Sequence, residues 1–330
     1  MVSLHAEAVT LGPDGSSAFE VPLRGWNGRG LADASSSSGW SSSSVGSLRC
    51  SEAVSGVTLP TNVGGRAIHL ANVGLRIWGL HTVTERDWTP ELARSKILVV
   101  NADDFGQSAG VNQGIMEAFE HGIVTSTSFM VHWPAAADAA LYARANPTLA
   151  VGLHLDFSEW AFQEGEWVQL YARVDLADPD AVRREGQRQL ALFRELLGAD
   201  PTHLDSHQHV HREEPIRAAA VEIARELGIP LRHFSPGIRY CGAFYGQDEW
   251  GGPFHNAIKA ASLIATLRGL DPGVTELACH PGYADELDTM YKAERAIEIR
   301  ALCDPTVRLA LADFDIELRS FCDLHRMALT

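Results

Sequence analysis

Two adjacent acidic residues, Asp103 and Asp104, end an apolar run and precede Phe105 and Gly106. Neighbouring carboxylates at the end of a strand repel each other unless a positive charge lies beside them. A metal ion removes this repulsion if one carboxylate binds the ion and the other accepts a proton from water. The pair therefore indicates metal-assisted hydrolysis, with a turn or a helix cap as the alternative role of the two residues.

Histidines that follow later apolar segments can complete such a site. His154 ends one of these segments, and a run of alternating histidines begins at His203. The position just past the last apolar residue of that run favours His207 as a ligand and leaves His209 to line the mouth as a substrate-binding candidate. A core role for His154 and a surface loop for the histidine run are the alternatives. One Asp and two His leave coordination positions open for water and substrate.

His280 follows another apolar segment and precedes Pro-Gly, which places it at the same rim. Imidazole titrates near neutral pH and can protonate a leaving group. In this hypothesis Asp104, His154 and His207 hold the metal, Asp103 deprotonates the attacking water, and His280 protonates the departing amine. These roles describe hydrolysis of an amide without a covalent intermediate.

The composition limits the class of protein. The net charge of −15 over 330 residues argues against a nucleic acid or an anionic membrane as partner, because both require a basic face. No apolar stretch is long enough to cross a bilayer, and the first residues do not resemble a signal peptide. Five scattered cysteines without C-x-x-C spacing fit reduced thiols. We expect a cytoplasmic protein.

Two regions with different patterns divide the chain. Residues 1–95 include a Ser/Gly tract, Ala34–Ser47, which cannot bury enough apolar surface to offset the entropy of ordering. We therefore predict a disordered extension over 1–95, with a regulatory or docking segment as the alternative. Residues 96–330 alternate between strand and helix patterns and form the second predicted domain.

Repeated βα units predict a parallel sheet, either open and doubly wound or closed as a barrel. In both architectures catalytic groups gather at the carboxyl ends of the strands, where every candidate residue lies. The predicted strands are Ile97–Asn101, Thr125–Val131, Leu149–Leu155, Thr202–His207, Pro230–Phe234, Val274–Cys279 and Ile316–Phe321.

Several motifs of the second region resemble those of the YdjC-like carbohydrate deacetylases, which include chitooligosaccharide deacetylases and a hopanoid-biosynthesis deacetylase. The motifs are Val100–Gly106, Gly110–Ile115, Gly122–Thr127, Val151–His154, Pro201–His209 and Cys279–Gly282. The resemblance implies an α/β fold, a distorted (βα) barrel of about seven parallel strands like that of the polysaccharide deacetylases, and removal of an N-acetyl group from a sugar.

The same resemblance implies the site roles and partners. Its metal ligands fall on Asp104, His154 and His207, its base on Asp103 and its acid on His280. Magnesium is the ion that it implies, although imidazole ligands suit zinc better. It also implies a small carbohydrate substrate and a homodimer.

Two aromatic loop segments are the substrate-binding candidates. Trp160, Trp167, Tyr245 and Trp250 can stack on sugar rings or simply pack. One rival hypothesis is a barrel metallohydrolase of the amidohydrolase or phosphoesterase type, but amidohydrolases carry His-x-His where this chain has Asp-Asp. The other rival is a non-catalytic carbohydrate-binding or metal-sensing protein, which would not need Asp103 or His280.

Overall fold

The structure is a computed structural model that describes residues 94–327, so nearly all of the extension predicted over 1–95 lies outside the described residues. The strands are β1 (Lys96–Phe105), β2 (Ser126–Phe129), β3 (Ala150–Leu155), β4 (Ser158–Gln163), β5 (Glu166–Ala172), β6 (Leu204–Ser206), β7 (Ile238–Cys241), β8 (Gly273–Cys279) and β9 (Ile316–Leu318). The α-helices are α1 (Ala109–Glu120), α2 (Ala136–Ala145), α3 (Pro179–Leu197), α4 (Ile216–Leu227), α5 (Ala260–Arg268), α6 (Ala293–Leu302), α7 (Pro305–Asp313) and α8 (Phe321–Met327).

A parallel sheet of seven strands forms the centre of this region. The strand order is β6-β3-β2-β1-β8-β7, and β9 also pairs with β1. Strands β1, β2 and β3 are buried almost throughout, because one face of the curled sheet packs against helices and the other lines its interior, and this explains their continuous apolar sequence. The sheet curls into an incomplete barrel, and this confirms the predicted fold class.

Local signals in the sequence fix the ends of the helices that follow the strands. Ser108 caps α1 by accepting a hydrogen bond from the N–H of Val111. Asp178 caps α3 in the same way, Pro179 occupies the first turn, and Gly198 ends the helix in the left-handed region. These residues set the first turns of α1 and α3 and the last residue of α3.

Two elements differ from the sequence-based expectation. The predicted strand Pro230–Phe234 is shorter than expected: it pairs in parallel with β6 only through a bridge between Leu231 and Leu204, and the next strand, β7, pairs with β8. The aromatic insertion after β3 is an antiparallel hairpin, β4–β5, which pairs outside the main sheet. Within the described range, no helix has the length and hydropathy needed to cross a membrane.

Candidate metal centre and active site

A bulge at the end of β1 places the two adjacent acids. The pairing of β1 with β2 shifts between Ala102 and Phe105, and Asp104 has a φ of 73°. A regular strand would direct the two side chains to opposite faces of the sheet. Because Asp104 adopts the left-handed region, which Asp tolerates better than most residues, both carboxylates meet side chains from neighbouring strands.

Asp104, His154 and His207 form a compact group of potential ligands. Asp104 Oδ1 lies 3.4 Å from His154 Nε2 and 3.1 Å from His207 Nδ1, and the three ligand atoms lie within 4.8 Å of one another. Asp205 Oδ1 contacts His154 Nδ1 at 2.8 Å, which leaves Nε2 directed towards Asp104. His207 Nε2 is buried without a hydrogen-bond partner. One carboxylate and two imidazoles, one of them oriented by a second carboxylate, fit a divalent metal ion.

The electrostatics of this group favour a bound cation. Burial opposes ionisation of Asp104, but Arg295, His154 and His207 hold its pKa well below the usual range. Burial also lowers the pKa of His154, but the carboxylates of Asp205, Asp104 and Asp103 together more than offset this, and the pKa rises to about 10. A proton therefore occupies His154 when no metal does, and metal binding at neutral pH must displace it.

Arg232 supplies the positive charge beside the other carboxylates. Its guanidinium donates to both oxygens of Asp103, at 2.6 and 2.8 Å, and to Glu276 at 2.7 Å, and it lies 2.7 Å from Asp205. Asp103, His154 and Asp205 form a second group with metal-ligand spacing, but Arg232 already contacts both of its carboxylates. This leaves the Asp104 group as the candidate metal centre.

His280 lies across the mouth from Asp103. Its Nε2 atom is 3.8 Å from Asp103 Oδ2, and 18% of its side chain is exposed. Burial lowers the pKa of His280 to about 4 against the opposing effect of Asp103. Glu298 accepts hydrogen bonds from the His280 backbone N–H and from the Tyr291 hydroxyl, and burial raises the pKa of Glu298 to about 8.

Arg295, one turn before Glu298 on α6, contacts both the candidate ligand Asp104 and the backbone of the candidate acid His280. It donates to Asp104 Oδ2 at 2.6 Å and to the backbone carbonyls of Tyr291 and His280 at 3.0 and 3.4 Å. The candidate ligand and the candidate acid are therefore held by one helix.

Two of the predicted substrate-binding residues border this centre. The Tyr245 ring is 39% exposed, lies edge-on to His280 at 5.6 Å and stacks on Tyr291 at 4.7 Å. The backbone of Trp160 is joined to the Gln208 side chain, directly after His207, by hydrogen bonds of 2.9 and 2.8 Å.

The other candidates, Trp167, Trp250 and His209, contact residues outside the Asp104 group. Trp250 and Trp167 both pack on Phe162 of the hairpin, at 5.5 and 5.6 Å between ring centres, and remain 43% and 46% exposed. His209 does not continue a strand face, because β6 ends at Ser206 and a 3-10 segment follows. Its Nε2 atom contacts the Tyr240 hydroxyl at 3.1 Å instead.

Arg232, Arg295, Glu276, Glu298 and Tyr291 belong to the site but were not singled out from the sequence. Arginine and glutamate side chains are usually exposed, so composition offers no signal for these residues, although Arg232 and Glu276 lie within predicted strands. The several acidic residues at the strand ends could have indicated that buried arginines lie nearby, because buried carboxylates require buried cations.

One sequence pattern in this region, around Ser108, has a structural role and not a catalytic one. Gly106–Gly110 matches the G-x-S-x-G pattern of serine hydrolases. The Ser108 hydroxyl, however, accepts the cap hydrogen bond of α1 and contacts Glu286, and no histidine of residues 94–327 lies against it. Ser108 is therefore a helix cap.

Comparison with known proteins agrees with this geometry. The family model of YdjC-like proteins matches residues 97–313. The chain belongs to the YdjC-like family. A chitooligosaccharide deacetylase of Serratia marcescens is 32% identical over 69% of this chain and 99% of its own length. A carbohydrate deacetylase of Geobacillus stearothermophilus is 31% identical over 69% of this chain and 98% of its own length.

Among solved structures, a similar fold occurs in an Enterococcus faecalis protein provisionally assigned to cellobiose-phosphate cleavage. The match has a TM-score of 0.55 and 26% identity, and it covers 70% of this chain and 99% of that one. The curled parallel sheet is therefore shared over the whole YdjC-like region.

Proposed function

We propose that this YdjC-like protein is a metal-dependent carbohydrate N-deacetylase that removes the acetyl group from an amino sugar or a short N-acetylated oligosaccharide. The observation that carries the proposal is the juxtaposition of the Asp104, His154 and His207 group with the pair Asp103 and His280. The relatives named as carbohydrate deacetylases support the substrate class.

Asp104, His154 and His207 would hold the metal ion, as the close approach of their ligand atoms and the orienting carboxylate of Asp205 support. A divalent ion bound there lowers the pKa of a water molecule and polarises the acetyl carbonyl. Magnesium is the ion implied by resemblance, and the two imidazoles also suit zinc.

Asp103 and His280 would move the proton that hydrolysis requires. Asp103 is fixed by Arg232 and accepts a proton from water as the water oxygen bonds to the acetyl carbon. His280, whose low pKa keeps it neutral at pH 7, receives this proton from Asp103 and passes it to the nitrogen as the C–N bond breaks. The nitrogen then carries two hydrogens, and the acetic acid formed at the acetyl carbon releases the second proton of the water. The products at neutral pH are therefore acetate and a protonated amine. A low pKa makes protonated His280 a strong donor.

Acetate release from N-acetylglucosamine, its β-1,4 oligomers and related acetamido sugars tests the proposal. The protein is stripped of metal and reloaded separately with Mg²⁺, Zn²⁺, Mn²⁺ or Co²⁺. We expect metal-dependent acetate from at least one sugar, and none from the whole panel with metal bound would reject the proposal.

Asp103→Asn tests the assigned base in the same assay. We expect it to retain metal and to lose at least about a hundredfold in turnover, the scale of general-base removal. Unchanged turnover would remove Asp103 from the mechanism. Gel filtration of the same preparations tests the homodimer that the resemblance implies.

A further inference from the structure

Glu159, the second residue of β4, is a buried carboxylate that the mechanism above does not use. Only 9% of the residue is exposed, and its carboxylate makes no hydrogen bond with any of residues 94–327. Burial raises its pKa. Its carboxylate oxygens are not among the fully buried, unpartnered polar atoms of residues 94–327, so they reach solvent and are open to a ligand.

The Glu159 carboxylate interacts electrostatically with His207, Asp104 and Arg295 of the candidate metal centre, and also with Asp156. The pairing of β4 with β5 is irregular between Glu159 and Trp160, and such irregularities redirect side chains. The two hydrogen bonds between Trp160 and the Gln208 side chain hold this part of β4 against the residue that follows His207.

Neither metal binding nor structural pairing explains Glu159. The group of ligand atoms within 4.8 Å of one another contains Asp104, His154 and His207 but not Glu159. The nearby Asp156 shows what a structural carboxylate looks like here, because it accepts hydrogen bonds from Trp133 and Tyr171 and pairs with Arg173. Glu159 has no equivalent contacts.

We infer that Glu159 binds the nitrogen of the sugar: it accepts a hydrogen bond from the acetamido N–H of the substrate and pairs with the ammonium group of the product. This inference rests on the proposed function, which creates a cation at this site when the acetyl group leaves. A carboxylate binds an ammonium more tightly than a neutral amide N–H, because the hydrogen bond is charge-assisted. Glu159 should therefore determine how strongly the amine product is retained.

Calorimetric titration compares the affinities of two disaccharides, one with amino groups and one with hydroxyl groups at the same positions, and so measures the contribution of the amine to binding. The probes are the β-1,4 glucosamine dimer, at a pH where its amines are protonated, and cellobiose, which carries hydroxyl groups in their place. The proteins are the metal-loaded wild type, Glu159→Gln and the control Glu166→Gln, which makes the same chemical change at an exposed position of the same hairpin.

We expect the wild type and Glu166→Gln to bind the glucosamine dimer roughly tenfold to a hundredfold more tightly than cellobiose, the range of a charged hydrogen bond. Glu159→Gln should lose this preference and bind cellobiose as the wild type does. Its KM for the acetylated substrate should rise less than its inhibition constant for the amine product, because Gln still accepts a hydrogen bond.

Three outcomes overturn the inference. A Glu159→Gln variant that keeps the amine preference removes Glu159 from nitrogen binding. A tenfold loss of metal affinity in this variant, titrated with Zn²⁺ or Mn²⁺ alone, makes Glu159 a metal ligand instead. Absence of acetate release by the wild type rejects the proposed function, and this inference with it. Acetate release by a wild type without amine preference rejects the inference alone.

Discussion

The guanidinium group of Arg232 lies between three carboxylates, those of Asp103, Asp205 and Glu276. Arg suits this position because its planar fork donates to several acceptors at once and does not lose its charge on burial. One cation does not neutralise three acids, and burial raises the pKa of Glu276 to about 7 against the opposing effect of Arg232. Negative charge therefore remains around Arg232. Part of it lies on Asp205, which contacts His154, and it favours a cation at the neighbouring metal centre.

Asp205→Asn tests how this carboxylate prepares His154. The Asn oxygen can still accept the hydrogen bond of His154 Nδ1, so the ring should stay in place while the negative charge behind it is lost. We expect metal affinity to fall roughly tenfold to a hundredfold, the usual effect of removing such a partner. Calorimetric titration with Zn²⁺ and Mn²⁺ measures it, and Asp180→Asn, an exposed carboxylate on α3, is the control. Equal affinities would show that Asp205 does not tune the ligand.

The sequence predicted the acids and histidines at the strand ends better than the arginines that pair with them. Asp103, Asp104, His154 and His207 each lie at or just after the carboxyl end of a strand, and a parallel sheet brings these ends together. Arg232 and Arg295 come from a loop and a helix, where no local pattern distinguishes a buried arginine from an exposed one. Their positions depend on tertiary packing.

At the scale of elements, the packing of α1 against the loop after β8 positions the candidate acid. A Cβ atom on Gly114 would lie 2.5 Å from Cα of Gly282, two residues after His280. The Gly110 carbonyl also accepts the N–H of Tyr283 in the same loop. The glycines of the motif Gly110–Ile115 therefore allow a close approach of two backbones.

Gly114→Ala should move this loop away from α1. We expect a loss of about 1 to 3 kcal/mol in the free energy of unfolding, typical of overpacking, and a lower kcat with unchanged metal affinity, because His280 moves while the metal centre stays. Urea unfolding, turnover and metal titration measure these effects. Gly269→Ala is the control, since the nearest atom to its added Cβ lies at 3.6 Å. A Gly114→Ala variant with normal kcat would show that the packing of α1 against this loop does not determine the position of His280.

The elements also show where sequence patterns fail. Buried runs such as Val274–Cys279 could be predicted because both faces of the curled sheet are buried. The hairpin β4–β5 could not, because every residue of β5 is at least partly exposed and its apolar side chains show no alternating burial. Pro230–Phe234 looked like a strand because Leu231 is buried, but its bridge to Leu204 is isolated and the next strand begins at Ile238.

At the scale of the whole described domain, one edge of the curled sheet collects residues from Asp103 to Glu298, so the site forms only when the entire sheet does. Its interior holds histidines that are kept neutral. Burial lowers the pKa of His203 and of His211 to about 3 in each case. His203 contacts the hydroxyls of Ser128 and Thr202 and stacks on Phe321, so it is a structural residue of the core.

Neutral burial of His203 makes the folded state sensitive to acid. The unfolded chain binds a proton at this residue below about pH 6.5, whereas the folded state does so only near pH 3, so the contribution of His203 to stability is lost as pH falls between these values. Each such histidine removes about 1.4 kcal/mol of stability per pH unit.

His203→Gln should therefore cost stability near pH 7.5 but show a shallower fall in acid than the wild type, by about 1.4 kcal/mol per pH unit between pH 6 and 4. Urea unfolding of the metal-free proteins across this range measures the difference, which excludes titration coupled to metal release. His121→Gln, at a side chain that is 71% exposed, is the control and should run parallel to the wild type. Parallel curves for His203→Gln as well would mean that His203 takes up its proton without unfolding the domain.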